Sequence, residues 1–398
     1  MRGALAWPFL RLYLLTLLYF SSNSILNVII PLKGESLGAS NSAIGIVMGA
    51  YLFTTMFLRP WAGQVIYRQG PVKVLRIILA INALALSLYT FTGLGGYFFA
   101  RMLQGVCTAF FSMSLQLGII DSLPEKDRSQ GISMYSLCAT MPGVIGPLLA
   151  LNIWESGNMG VFSITILSMA VLTGAFGFSA TMKAADNRPI PRQADRQGSF
   201  NQLFTNPHLF LCGMLMLGSS VIFGGVTTFI PLYAGQIQHA SAAFYLMLQA
   251  GTIVAARFFL RKKIPSDGKW HPAFIKAVIL SLTAASLCTG LSGYGGFAVF
   301  YCGALLMGLA QAMLYPTLTT YLTFVLPESK RNVLIGLFIA MADLGVSLGG
   351  VLLGPVADLL SYSWMYIFCA MLGAGLLLFI SRQQLKLKLN AEVPASGT

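Results

Sequence analysis

Apolar residues in this chain come in blocks long enough to cross a lipid bilayer, separated by short polar or turn-rich joints. The blocks lie at about residues 7–31, 42–66, 74–92, 96–120, 129–152 and 160–180. A second set covers about 208–232, 240–260, 273–292, 296–324, 332–356 and 363–381. A helix crossing the hydrocarbon core needs about 20 residues, so the pattern predicts an all-α integral membrane protein with twelve transmembrane helices, six plus six. Between the sets, residues 183–205 are rich in Arg, Gln, Pro and Asp and too polar to enter a membrane. The predicted organisation is a six-helix bundle over 1–182, a linker over 183–205, a second six-helix bundle over 206–382 and a tail over 383–398.

Composition excludes a water-soluble protein. Of the 398 residues 56% are hydrophobic and 9% charged, whereas soluble proteins carry about 25% charged residues. The formal charge of +13 invites a nucleic-acid partner until its distribution is examined. With the N-terminus inside, 21 of the 25 Lys and Arg residues fall on the cytoplasmic face and only Lys33 lies outside. This is the asymmetry that orients membrane proteins. It predicts both termini and the linker inside, and implies no nucleic-acid partner. The six cysteines stand singly in apolar runs without a C-x-x-C pair, so neither a disulfide framework nor a metal site is expected. The first run lacks a small-residue cleavage site after a short core and reads as a retained span.

The halves repeat each other. Ile30-Pro31-Leu32 recurs 200 positions later as Ile230-Pro231-Leu232, and Arg59 matches Arg257 at 198. Leu123-Pro124-Glu125 with Arg128 matches Leu326-Pro327-Glu328 with Arg331 at 203, as Gly105 and Ala109 match Gly308 and Ala312. Duplication of a six-helix unit explains this order, and many carriers are built from such repeats.

No phosphate loop, H-E-x-x-H or G-x-S-x-G motif is present, so neither an enzyme nor a cofactor is expected, and any transport must draw on an ion gradient or the substrate's own. Ionisable residues within spans are costly and point to function; here they are Arg59, Arg101, Arg257 and Asp343. In the fourth span Arg101, Gln104, Thr108, Ser112 and Gln116 form one polar stripe at helical spacing. Tyr19, Asn23 and Asn27 do the same in the first span, Ser220 and Thr227 fall in the seventh, and Gln311, Tyr315 and Thr319 in the tenth. Hydrogen bonding between helices accounts for Ser and Thr but poorly for an arginine with two glutamines. Asp343 is present in one half only, its counterpart 203 positions earlier being Thr140. A carboxyl group there can exchange a proton or serve as a fixed counter-ion to an arginine. Pro142-Gly143-x-x-Gly146-Pro147 and Gly345-x-x-x-Gly349-Gly350-x-x-x-Gly354-Pro355 mark places for close packing or bending. The residues by themselves describe a carrier with arginines in its interior. They leave open a multidrug/proton efflux carrier and a lipid flippase, although three arginines against one aspartate argue for an anionic substrate.

Gly63, Arg68, Gly70 and Lys73 resemble the G-x-x-x-D-R-x-G-[RK]-[RK] signature of the major facilitator superfamily, with Tyr67 where that family has its aspartate. Arg101-x-x-Gln104-Gly105 with Ala109 resembles the fourth-span motif of proton-coupled members, and Gly146-Pro147 resembles part of the antiporter motif. The resemblance covers essentially the whole chain. Longer strings, from Met1 to Arg11, Gln104 to Asp121 and Ile264 to Gly268, are similar to bacterial exporters of opine-type metallophores, the staphylopine exporters. This resemblance implies a carrier of the bacterial cytoplasmic membrane, acting as a monomer, that expels a histidine-derived polycarboxylate by alternating access and proton antiport. The expected substrate residues are Tyr19, Asn23, Asn27, Arg101, Gln104, Ser112, Gln116, Arg257, Gln311 and Tyr315. Asp343 and Arg59 are expected to handle the proton, and Gly63, Arg68, Gly70 and Lys73 to form the cytoplasmic gate.

Overall fold

The computed structural model describes residues 5–182, 206–260, 263–265, 267–327 and 331–392, and every regular element among them is helical. The predicted linker and the last six residues of the predicted tail lie outside the described residues. The first half contains α1 Trp7–Ser36, α2 Asn41–Gln69, α3 Pro71–Phe91, α4 Leu94–Ser122, α5 Glu125–Thr140, α6 Pro142–Glu155 and α7 Met159–Phe178. The second contains α8 Pro207–Tyr233, α9 Ala242–Phe259, α10 Pro272–Val325, α11 Arg331–Leu359 and α12 Tyr362–Glu392. Local sequence sets several of the starts. Pro71, Pro207 and Pro272 stand at first helical positions, where no N–H is needed. The side chains of Ser40, Asn158, Asn206 and Ser241 accept hydrogen bonds from free N–H groups of the first turn.

Among the described residues eleven segments are long and apolar enough to cross a membrane, and one of these makes two crossings. The 54 residues of α10 would extend about 80 Å if straight. Gly296 turns the chain back with φ 70° and ψ −170°, angles open mainly to glycine. Ser281 Oγ then donates to the Leu306 carbonyl across the hairpin at 3.1 Å. Pro272–Val325 is thus spans nine and ten, and the chain crosses twelve times. Span five is one bent crossing: Pro142 interrupts the backbone ladder between α5 and α6 while Met141 keeps helical angles. Phe91, Phe99, Ile164, Phe258 and Leu378 are exposed on the outside of the bundle, an arrangement that lipid tolerates and water does not.

The sequence repeat reappears as a repeat of contacts. A Cβ placed on Gly105 would collide with the Tyr51 carbonyl and the Thr54 side chain; one on Gly308 would meet the Gln249 carbonyl and Thr252. Gln249 and Thr252 each stand 198 positions after Tyr51 and Thr54. Likewise Gly146 rests on Ser24, and Gly349 rests on Gly224. Leu123 and Leu326 end α4 and α10 in matching extended conformations, with ψ 142° and 143°. The register therefore extends through spans one, two, four and five and their counterparts seven, eight, ten and eleven.

The halves seal at the end carrying Asn41. There Asp358 Oδ1 accepts from the Asn41 backbone N–H at 2.8 Å, and its Oδ2 accepts from Ser42 N at 2.9 Å and Ser42 Oγ at 2.5 Å. Tyr362 Oη donates to Asn41 Oδ1 at 2.6 Å. Further along, Gly45 and Gly350 bring the backbones of α2 and α11 together, and Ser347 Oγ donates to the Gly49 carbonyl at 2.8 Å. The pairs α1 with α8 and α6 with α9 also join the two halves. Toward the Gly70 end, α5 packs on α1, α4 and α6 of its own half, leaving Ile132, Ser133, Ser136 and Leu137 exposed. The bundle is closed at one end and open beside α5 at the other.

Candidate functional site

Arg101 projects from α4 and is fully buried. Its Nη1 donates to Asn23 Oδ1 and its Nη2 to Asn27 Oδ1, both at 2.7 Å, so the two asparagines one turn apart on α1 hold the fork of the guanidinium. Met48 Sδ lies 3.6 Å from Nη2, and the guanidinium stands 5.3 Å from the centre of the Tyr51 ring. Among the described residues its charge is met by amide oxygens and an aromatic face rather than by a carboxylate. Tyr51 Oη in turn contacts Thr108 Oγ1 at 2.9 Å and accepts from Asn23 Nδ2 at 3.2 Å. Tyr19 Oη reaches the same Thr108 hydroxyl at 2.8 Å, its ring stacked on Phe111.

The rest of the fourth-span stripe divides. Gln104 is buried and accepts from Tyr89 Oη at 2.6 Å, turned toward α3. Ser112 Oγ bonds back to the Thr108 carbonyl at 2.8 Å. Gln116 is half-buried and lies near Tyr135 of α5.

Arg59 and Asp343 meet across the two halves: Arg59 Nε of α2 donates to Asp343 Oδ2 of α11 at 2.6 Å. Of the two roles the sequence left open for Asp343, the structure places it in contact with an arginine. Tyr315 of α10 lies within electrostatic reach of Arg59, Asp343 and Arg257, so these four residues share one region between the halves.

In the second half Gln249 Nε2 donates to Gln311 Oε1 at 3.0 Å. This is the repeat equivalent of the Tyr51–Thr108 contact, since 51 matches 249 and 108 matches 311. Ser220 is buried, whereas Thr227 Oγ1 and Thr319 Oγ1 bond to carbonyls one turn back. Arg257 is exposed, near Tyr315, and among the described residues has no hydrogen-bond or ion-pair partner. The gate residues are placed apart from this cluster. Gly63 sits on α2, Arg68 is exposed in its last turn, Gly70 takes φ 82° between α2 and α3, and Lys73 is exposed at the start of α3. In the turn before α10, Asp267 accepts from Lys269 N at 3.1 Å and contacts His271 Nε2 at 2.8 Å. The His271 hydrogen bond, with that of Lys269, holds the Asp267 carboxyl below its usual range.

Tyr51, Tyr89 and Gln249 were not singled out by sequence patterning. The tyrosines sit in apolar helices and read as core, and Gln249 stands alone in α9. Gln249 stands 198 positions after Tyr51, a match that becomes visible only once the role of Tyr51 is seen.

The sequence profile of the Major Facilitator Superfamily matches residues 12–289 and 274–395. The chain belongs to that superfamily. It is 55% identical over 378 residues to the staphylopine export protein of Staphylococcus aureus, covering 94% of this chain and 95% of that one. An uncharacterized MFS-type transporter of Pseudomonas aeruginosa is 24% identical over 86% of this chain and 84% of its own. Among solved structures, a mutant form of the nucleoside transporter NupG superposes with a TM-score of 0.77 at 15% identity, covering 94% and 99% of the two chains. A bacterial homolog of the human lysosomal transporter Spinster, in an inward-facing and occupied conformation, gives 0.71 at 14% identity over 95% and 97%. These structural likenesses establish the fold of the carrier.

Proposed function

We propose that this carrier exports an opine-type metallophore from the bacterial cytoplasm, exchanging it for protons by alternating access. The observation that carries the reading is the 55% identity to the staphylopine export protein over nearly the full length of both chains. With basic residues inside, the Asn41 end faces outward and the opening beside α5 faces the cytoplasm, the side from which an exported substrate enters. The bundles over 1–182 and 206–382 rock against each other as a monomer, with both termini and the 183–205 linker inside. Asn23, Asn27 and Arg101 lie beneath the outer seal, so outward opening brings them to the exit path. The half-buried Gln116, Gln311 and Tyr315 line the cytoplasmic side.

The Arg59–Asp343 contact is the coupling element of this reading. An ion pair requires the carboxylate form, so forming the contact expels a proton and breaking it admits one. In the outward-open state the separation of α2 and α11 frees Asp343 to be protonated from outside; return to the sealed state re-forms the pair and releases the proton inward. Export is tested by comparing intracellular and extracellular staphylopine in cells with and without the gene. Accumulation inside and loss outside on deletion is expected. Equal distribution, with sensitivity to lipophilic cations instead, would replace this reading by multidrug efflux.

A further inference from the structure

Arg59 and Arg257 occupy equivalent places in the two halves, but among the described residues only Arg59 is met by an acid. Its partner is Asp343 of the opposite half, at 2.6 Å. The equivalent of Asp343 is Thr140, 203 positions earlier. That assignment rests on contacts as well as sequence, because Gly146 and Gly349, also 203 apart, make matching contacts with Ser24 and Gly224. Thr140 is half-buried, and its hydroxyl is bonded to the Ser136 carbonyl at 2.8 Å. It carries no charge to offer an arginine.

The direction of Arg257 follows from helix geometry. Ala250 of α9 faces Gly143 across the boundary between the halves, with a Cβ on Gly143 falling 3.5 Å from that of Ala250. Seven residues turn an α-helix by about 700°, within about 20° of two full turns. Arg257 thus lies on the same face as Ala250, two turns further along α9, and is itself exposed. Tyr315, its neighbour from α10, also lies in reach of the Arg59–Asp343 pair.

We propose that Arg257 is a carboxylate-binding subsite whose acidic partner is supplied by the substrate. One carboxylate of the exported molecule takes, beside Arg257, the place that Asp343 holds beside Arg59. Guanidinium and carboxylate match in a planar two-point contact, and a guanidinium that has no partner among the described residues, on an otherwise apolar helix face, has few better partners. A substrate bound this way repeats the interhalf ion pair on the pseudo-symmetric side, so loading it adds a negative charge between the halves, the opposite of what protonation of Asp343 does. The subsite rests on the export reading above, with the substrate a small organic polyanion.

The test uses full-length protein in liposomes, sorted for inside-out orientation, with radiolabelled staphylopine as the probe. Arg257→Gln is expected to raise KM at least tenfold with a smaller change in maximal rate, and Arg257→Lys to recover only part of the loss. Thr140→Asp supplies the missing acid, pairs with Arg257 in place of the substrate, and is expected to raise KM comparably, while Thr140→Asn stays near wild type. Wild-type KM in both Arg257→Gln and Thr140→Asp would overturn the subsite while leaving export intact. Wild-type liposomes inert toward staphylopine would overturn the export reading and the subsite with it. Should Arg257→Gln fail to fold, the Thr140 pair decides alone, since Arg257 is then untouched.

Discussion

Arg101 bears its charge in a fully buried position held by two asparagine oxygens rather than an acid. Hydrogen bonds to charged groups contribute about 1.5–3 kcal/mol each, and lysine cannot place donors on Asn23 and Asn27 with the same planar fork. Arg101→Lys is therefore expected to lower export at least tenfold and weaken the folded protein by about 2 kcal/mol, and Arg101→Ala nearly to abolish export. Transport assays run beside thermal unfolding in detergent check this; wild-type rates in the alanine variant would remove Arg101 from the transport path. At Asp343 the expected effect is different. Asparagine keeps the size but cannot exchange a proton, so Asp343→Asn should impair proton-driven export while leaving protein level near normal. Export with unchanged rate and unchanged pH dependence would contradict the coupling role. Sequence pattern alone identified Asn23, Asn27 and Arg101, because polar residues at helical spacing in a span are conspicuous. It missed Tyr51 and Tyr89, because tyrosine in an apolar helix looks like core until a partner hydroxyl or amide is seen beside it.

Two elements set the conformational balance, the α2–α11 crossing and the start of α2. Asp358 of α11 binds the free N–H groups at the N-terminus of α2, where the helix dipole favours a negative charge by about 0.3–1 kcal/mol, and up to about 2 in partly buried geometry. Asp358→Asn keeps a hydrogen-bond acceptor but removes the charge. An impermeant thiol reagent directed at a cysteine beneath the outer seal should then react about five- to tenfold faster, about 1.4 kcal/mol being a factor of ten; unchanged labelling would show that this cap does not bias the equilibrium. Gly45 and Gly350 leave no room for a side chain. Gly45→Val is expected to cost about 1–3 kcal/mol of the sealed state and to be read as the same gain in labelling. The span pattern was legible because bilayer thickness imposes one length on every helix. Hydropathy separated spans nine and ten but did not show that Gly296 alone makes the turn, since a single positive-φ residue has no hydropathy signal. Nor did hydropathy reveal that α12 continues to Glu392, because Gln, Lys and Leu sustain a helix beyond the membrane as well as within it.

For the whole molecule, the face from which the cargo is taken depends on orientation. Cysteine in place of Lys33 should react with impermeant reagent in intact cells, and cysteine in place of Arg192 only after permeabilisation; reaction at 192 in intact cells would invert the assignment. The twofold repeat was readable from four sequence matches, and the contacts at Gly105, Gly308, Gly146 and Gly349 extend it to paired side chains. The asymmetry that matters, Arg59 paired and Arg257 without an acidic partner among the described residues, could not be read until Asp343 was seen to cross between the halves. The most direct measurement is uptake of radiolabelled staphylopine by inside-out liposomes holding the purified carrier, with a proton gradient imposed from the lumen. Gradient-dependent accumulation, collapsed by a protonophore and by Asp343→Asn, is the predicted result. Accumulation of lipophilic cations or labelled lipid with none of staphylopine would contradict the account.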